Sequence, residues 1–102
     1  MILGTRCIRM KYFDWDESKN EELISERDVS FEEIIFAIFS VGLLQIIEHP
    51  NQQKYPGQEI FVVNIKEYIY LVPFVEDSKT VFLKTIIPSR KFTKLYLRGN
   101  EL

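Results

Sequence analysis

The sequence predicts an α+β fold in which two N-terminal helices pack on a mostly antiparallel sheet of four to five strands, with a short C-terminal helix. Two observations carry this prediction. Two helical patterns lie in the first half of the chain, and three consecutive strand patterns, rich in β-branched and aromatic residues, run between Glu59 and Arg90. With 102 residues, the chain has room for one domain around a single hydrophobic core.

The first helix has a clear start and few apolar anchors. Residues 11–13 favour a short strand, after which Asp16 is placed to cap a helix over Glu17–Arg27. Leu23 and Ile24 are the strong apolar side chains of this helix. A helix this polar is marginal alone, so we expect it to dock on the rest of the domain.

The second helix has a stronger start signal. Ser30 and Glu33 match a capping box, in which each side chain satisfies a free backbone N–H of the other residue. Apolar side chains then recur at helical spacing: Phe31, Ile34, Ile35, Ile38 and Phe39. We expect Gly42 to end the helix in a left-handed conformation. Because Phe36 and Val41 are apolar too, this helix is either the central core helix, which we favour, or presents one face to a partner protein.

The sheet begins with a predicted strand over 43–49. A polar loop over 50–58 follows, in which Pro56-Gly57 fits the central pair of a type II turn. The strands of the meander are predicted at residues 60–65, 68–75 and 80–87. Pro73 interrupts the middle strand, which implies a bulge or an unpaired N–H at that point.

Alternation along the last strand divides its side chains into two sets. We expect one set to face the core: Val81, Leu83, Thr85 and Ile87. Lys84 and Arg90 then face solvent or a groove, and Pro88 stops the ladder shortly before Arg90. These cations serve either solubility and edge protection or the binding of phosphate, for which the arginine fork is suited. A closing helix is predicted over residues 90–97.

The charges are distributed unevenly. A net charge of −2 argues against nucleic-acid binding by bulk electrostatics. Acidic residues are concentrated between Asp14 and Glu33, whereas the stretch from Lys79 to Arg98 has lysines and arginines but no Asp or Glu. The basic third is thus either a solvated face or a binding edge.

The ends of the chain lie outside the predicted domain. We expect residues 1–9 to be an extension, with Met10 a candidate for the original start, residues 10–98 to form the domain, and 99–102 to be a tail. No apolar run approaches the roughly 20 residues that span a bilayer, and 1–9 lacks the apolar segment of a signal peptide. The single cysteine, Cys7, has no partner for an internal disulfide, and no zinc pattern is present. These features predict an intracellular, cytoplasmic protein without a cofactor.

Few side chains suggest chemistry. His49 is the only histidine, and its ordinary pKa suits a general acid or base, although a lone histidine is often structural. Tyr68, Tyr70 and Tyr96 could stack on nucleic-acid bases or simply pack. The sequence contains no Gly-rich phosphate loop, paired-carboxylate motif or Ser/His/Asp arrangement.

Three separated stretches match a known pattern. Residues 13–20 read F-D-W-D-E-S-K-N, and residues 29–33 read V-S-F-E-E. Residues 86–93 read I-I-P-S-R-K-F-T. Together they resemble the BrnT family of toxins, which opens with F-x-W-D-x-x-K-x and V-S-F-E-E and closes with I-I-S-A-R-K-A-T. Order and spacing match over nearly all of residues 10–97.

The resemblance implies a RelE-like α+β fold and a ribonuclease toxin that blocks translation. It also implies a DNA-binding antitoxin, of ribbon-helix-helix type, that neutralises the toxin by direct contact. By position, the resemblance carries functional roles over to Lys19, Arg90, Lys91 and Thr93.

Some positions depart from the family pattern. A histidine falls on Phe74, an arginine on Thr85, a glutamate on Tyr96, and a lysine-histidine pair on Glu26-Arg27. These differences favour an alternative function, a non-catalytic toxin-derived module that binds an antitoxin-like partner or RNA.

RNA cleavage without a metal needs groups that move protons and a group that stabilises the phosphorane. We expect Arg90 to stabilise charge, with Tyr96 or His49 as proton carriers. The expected substrate-binding residues are Lys19, Lys84, Lys91, Thr93 and Lys94.

Overall fold

The computed structural model describes residues 11–97, which form an α+β fold as predicted. The elements are β1 (Tyr12–Trp15), α1 (Glu17–Arg27), α2 (Phe31–Ile38), β2 (Leu43–Glu48), β3 (Glu59–Ile65), β4 (Tyr68–Glu76), β5 (Thr80–Leu83), β6 (Ile87–Pro88) and α3 (Arg90–Leu97). The predictions for residues 1–10 and 98–102, including the extension, the Met10 start, Cys7 and the tail, lie outside the described residues.

The strands form one mixed sheet. Its order is β1-β5-β4-β3-β2, and β6 pairs with β4 beyond the end of β5. Neighbouring strands are antiparallel, as predicted, except for β1, which runs parallel to β5. The short β6 makes this sheet six-stranded rather than four- or five-stranded.

Local capping signals set the helix starts. The carboxylate of Asp16 accepts the N–H of Ser18 at 2.9 Å, and the capping box of Ser30 and Glu33 is formed in both directions. The buried amide of Asn20 then joins the two helices, because its Oδ1 accepts the N–H of Phe31 at 2.8 Å. Both helices cover one face of the sheet, where Leu23 of α1 is part of the core.

The third helix lies on the opposite face. A hydrogen bond from the sheet holds it in place: Oγ1 of Thr93 accepts the N–H of Ile69 in β4 at 2.8 Å. On this face Ile60, Val62 and Ile69 are buried, and they alternate along their strands with residues of the main core. The sheet is therefore covered by α1 and α2 on one side and by α3 on the other.

Gly42 does not adopt the left-handed conformation that we predicted. Among the described residues the glycine with positive φ is Gly57, at 78°, which fits the predicted type II turn. At Gly42 a Cβ would lie 2.8 Å from both the Cβ of Ala37 and the carbonyl oxygen of Asn64. Gly42 is therefore required by the close approach of α2 to β3, and α2 ends earlier, at Ile38.

The predicted strand over 80–87 is interrupted at residues 84–86. The carbonyl of Pro73 accepts the N–H of Lys84 at 2.8 Å. In an antiparallel strand the N–H and C=O of one residue point to the same neighbouring strand. The nitrogen of Pro73, which has no hydrogen to donate, therefore also faces the segment that contains Lys84. Phe74 pairs with Leu83 but Leu71 pairs with Ile87, so the predicted irregularity at Pro73 is a bulge in the opposing chain.

The bulge reverses the side-chain alternation. Ile86 is fully buried, whereas Ile87 is 42% exposed, so the prediction that Ile87 faces the core is wrong. A one-residue slip moves each following side chain to the other face of the sheet. The guanidinium of Arg27 donates to the carbonyl of Ile86, which ties α1 to the interrupted segment.

Candidate functional site

The start of α3 places Arg90 directly after the sheet. Pro88 ends β6, and the next N–H, from Ser89, donates to the carbonyl of Ile69 at 2.9 Å. The hydroxyl of Ser89 accepts the N–H of Phe92 at 3.1 Å, so Ser89 caps α3. Arg90 is thus the first helical residue, at the edge of the sheet and exposed to solvent.

The outer side of α3 is basic. Arg90, Lys91 and Lys94 are exposed, and their spacing of three and four residues places them on neighbouring positions of the helix surface. No acidic residue occurs in α3, and within residues 11–97 none of these three cations forms a salt bridge. Arg90 and Lys91 also occupy the first turn, where the helix dipole disfavours cations.

Lys84 lies on the same face of the sheet as α3. It follows Leu83, whose side chain is buried in the core on the opposite face, and it stays exposed at the bulge. Its Nζ is 5.6 Å from the centroid of the Phe82 ring. We call the exposed set Lys84, Arg90, Lys91 and Lys94 the α3 basic surface.

Tyr96 is the candidate proton carrier nearest to Arg90 along the chain. Six residues along a helix correspond to roughly 9 Å. The Tyr96 ring stacks on that of Phe92, with 5.9 Å between centroids, and its hydroxyl donates to Oε1 of Gln45 in β2. The side chain is 37% exposed, but at about 100° per residue Tyr96 lies on a different side of α3 from the three cations of the helix.

His49 is held by the loop that follows β2. Its Nδ1 accepts the N–H of Asn51 at 3.0 Å, and its ring lies 4.5 Å from that of Tyr55. His49 is four residues beyond Gln45, the contact of Tyr96, which is roughly 13 Å along a strand. The structure therefore does not bring His49 together with Arg90.

Two positions carried over by the resemblance have internal contacts. Lys19 lies on α1, across the sheet from α3, and pairs with Glu22 at 3.7 Å. Thr93 is 3% exposed, and its hydroxyl both accepts from Ile69 and donates to the carbonyl of Ser89 at 2.7 Å. Neither belongs to the α3 basic surface.

The tyrosines of β4 are placed differently from Tyr96. Tyr70 packs against the main core, and its ring lies 5.6 Å from that of Tyr68 in an edge-to-face arrangement. Burial raises the pKa of Tyr70, and the charges of Tyr68 and Glu33 add to the rise. Tyr70 therefore stays protonated at neutral pH and cannot serve as a base there.

A second surface feature lies beside α2. Phe36 and Val41 are 77% and 92% exposed and line a groove against the β3–β4 turn. The apolar character of α2 around most of its circumference was the sequence signal for this feature. The sequence did not indicate that Lys66 and Glu67 line this groove, because their position depends on how β3 and β4 pair.

Metal-ligand groups and membrane-spanning helices are both absent from the part of the chain that the structure describes. Residues 11–97 contain no group of three or more His, Cys, Asp or Glu side chains placed to hold a metal ion. No helix in that range is long and apolar enough to cross a membrane.

Comparison with known proteins gives no relative. No family model, curated protein or solved structure matches this chain.

Proposed function

We propose that this chain is a BrnT-type toxin with a RelE-like fold, a cytoplasmic ribonuclease that inhibits translation by metal-independent cleavage of mRNA. The observation that supports this most is the α3 basic surface. It has three exposed cations on α3 and Lys84 on the same face of the sheet, none in a salt bridge within residues 11–97, in a chain whose net charge is −2. Such a local cluster suits a phosphate backbone better than general solubility.

The chemistry proposed for this surface assigns one role to each side chain. Lys84, Lys91 and Lys94 attract and hold phosphates of the RNA. Arg90 binds two oxygens of the scissile phosphate with its guanidinium and stabilises the charge of the phosphorane. The first backbone N–H groups of α3 add partial positive charge beside it.

Proton transfer is assigned to Tyr96 first. It shares α3 with Arg90, whereas His49 lies in a loop whose described contacts are local. In this role the Tyr96 hydroxyl gives up its hydrogen bond to Gln45 when RNA binds. His49 is the second candidate for this role.

The resemblance also implies a partner, and we propose a DNA-binding antitoxin of ribbon-helix-helix type. The test is co-expression with the gene adjacent to that of this chain. Relief of growth arrest by that gene is the expected result. Arrest that persists although both proteins are made and soluble would contradict the partner.

One observation favours a second function, a non-catalytic module that binds RNA or an antitoxin-like partner. Phe74 stands where the family pattern has a histidine, and it is fully buried and stacked on Phe61 with 3.9 Å between ring centroids. A side chain at this position contributes to packing and has no access to RNA.

Induction of the full chain in a bacterial host, with growth and mRNA integrity followed together, tests the ribonuclease. We expect growth arrest with fragmented mRNA, and loss of both in Arg90→Ala. Lys79→Ala is the matched control, because it removes an exposed cation from the β4–β5 turn and should change neither. Circular dichroism verifies that both variants fold.

Other outcomes separate the two functions. Normal growth with intact mRNA, from a folded protein that still binds RNA in a salt-dependent manner, would support the module instead. Growth arrest and mRNA cleavage that persist in Arg90→Ala would contradict the proposed role of Arg90.

A further inference from the structure

A groove of about 510 Å³ opens between the C-terminal half of α2 and the turn that joins β3 to β4. Its apolar lining consists of Phe36, Ala37, Val41, Gly42 and Ile65. We call it the α2 groove. It lies at the α2 side of the sheet, whereas the α3 basic surface is on the opposite face.

The two most exposed apolar side chains of the groove have no role in the described core. Phe36 is 77% and Val41 is 92% exposed, although both belong to the segment that packs α2 onto β3. Large apolar side chains next to one another in a concave surface are typical of sites that a partner covers.

The rim of the α2 groove is mainly acidic. Glu32, Glu33 and Glu67 line it together with a single cation, Lys66. One oxygen of Glu32 accepts from Asn20 and one of Glu33 accepts from the Ser30 N–H, and both side chains remain exposed. An occupant that complements this rim has to be cationic.

The backbone at the floor of the groove is already paired. The carbonyl of Gly42 accepts the N–H of Asn64 at 2.7 Å, and the N–H of Gly42 donates to Ala37 at 2.9 Å. An added β-strand would need free backbone groups, whereas a helix satisfies its own. The groove geometry therefore favours a helix as the occupant.

We propose that the α2 groove binds an amphipathic helix of a partner protein, with apolar side chains against Phe36 and Val41 and Lys or Arg residues against the acidic rim. The proposal does not rest on ribonuclease activity, because the groove shares no residue with the α3 basic surface. The proposal identifies the ligand by its chemistry alone, as a basic amphipathic helix.

The test uses a designed peptide of about 18 residues, roughly five helical turns, with Leu on one face and Lys on the other. A second peptide has Glu in place of each Lys. Fluorescence anisotropy with labelled peptides and the full chain measures affinity, and amide chemical shifts locate the site. We expect the Leu/Lys peptide to bind at the groove and the Leu/Glu peptide to bind at least about tenfold more weakly.

Two pairs of variants make the test specific. Phe36→Ser should weaken binding of the Leu/Lys peptide about tenfold or more, whereas Tyr12→Ser, at a 78% exposed position in β1, should not. Glu67→Lys should weaken it as well, but Glu21→Lys, which changes an exposed acid on α1, should not.

Three results would overturn the proposal: affinity unchanged in both Phe36→Ser and Glu67→Lys, shifts confined to residues away from the groove, or a dimer of the full chain that Phe36→Ser converts to monomer. The last would assign the groove to a second copy. RNA binding, followed in parallel, should be the same in Phe36→Ser, which changes no charge, and Arg90→Ala should bind the peptide normally. Failure of one proposal is therefore distinguishable from failure of the other.

Discussion

Thr93 shows how one buried hydroxyl fixes the position of α3. It accepts the N–H of Ile69 and donates to the carbonyl of Ser89, and the side chain is 3% exposed. The hydrogen bond to Ile69 crosses from a helix to a strand 24 residues earlier in the chain. The positions of Arg90 and Lys91 depend on this hydrogen bond, because it fixes α3 against the sheet.

We therefore expect Thr93→Val to destabilise the fold by about 1–3 kcal/mol, since the buried N–H of Ile69 loses its acceptor. Thr93→Ser keeps the hydroxyl and should retain more of the stability. Urea denaturation measures both. If Thr93 contacted RNA directly, Thr93→Val would reduce RNA binding at temperatures where the protein remains fully folded, and this would contradict a purely structural role.

Asp77 gives the β4–β5 turn a dependence on pH. Its Oδ1 accepts the N–H groups of Lys79 and Thr80, both at 2.8 Å, and these bonds lower the pKa of Asp77 below its ordinary value of 3.8. Because the pKa is lower in the folded state, the carboxylate stabilises the fold above the ordinary value. The contribution disappears as the pH falls through the folded-state pKa.

Asp77→Asn removes this ionisation while keeping an oxygen acceptor. The difference in melting temperature between the protein and Asp77→Asn should be largest near neutral pH and should shrink as the pH falls below about 4. Thermal melts monitored by circular dichroism over this range measure it. A difference that stays constant with pH would show that Asp77 does not titrate with folding.

At the scale of elements, signals confined to a few neighbouring residues could be read from the sequence. Asp16 and the Ser30/Glu33 pair are local caps, so α1 was predicted with its observed bounds and α2 with its observed start. The start of α3 at Arg90 also follows from local residues.

Other features depend on contacts between distant segments. The interruption of the last strand needs the pairing of β4 with β5, since it arises where Pro73 faces its neighbour. The role of Gly42 needs the approach of Asn64. Likewise, the basic character of the candidate site could be predicted from the sequence, but the burial of Thr93 and the distance of His49 could not.

The β3–β4 turn offers a prediction at this scale. Its two residues, Lys66 and Glu67, both have left-handed backbones, with φ of 53° and 65°. Type I′ turns of this kind favour Asn-Gly, because other side chains are strained there. The double variant Lys66→Asn, Glu67→Gly should therefore raise the free energy of unfolding by roughly 0.5–2 kcal/mol.

The same double variant separates stability from binding at the α2 groove. It removes one cation and one acid from the rim, so the net charge of the rim is unchanged and the Leu/Lys peptide should bind with similar affinity to a more stable protein. Urea denaturation and anisotropy on the same sample test the pair of effects. A less stable double variant would show that the turn is not strained.

At the scale of the whole molecule, residues 11–97 have a basic surface and an acidic groove on opposite faces of the sheet. Cations are exposed on α3 and at Lys84, and acids line the α2 groove. The net charge of −2 hides this arrangement, since it averages the two surfaces. Two ligands of opposite charge could thus bind one small domain without competing for the same residues.

Lys91→Glu tests whether the α3 basic surface is kept for binding at the expense of stability. Lys91 is in the first turn of α3, where an acidic side chain interacts favourably with the helix dipole, so the variant should be as stable or more stable by about 0.3–1 kcal/mol. RNA binding should nevertheless fall, with the slope of log affinity against log salt reduced by about 1 or more. Lys79→Glu, with the same charge change outside α3, is the control for net charge. Equal RNA affinity in Lys91→Glu and Lys79→Glu would mean that the α3 cations act only through the overall charge, and the proposed RNA surface would then be wrong.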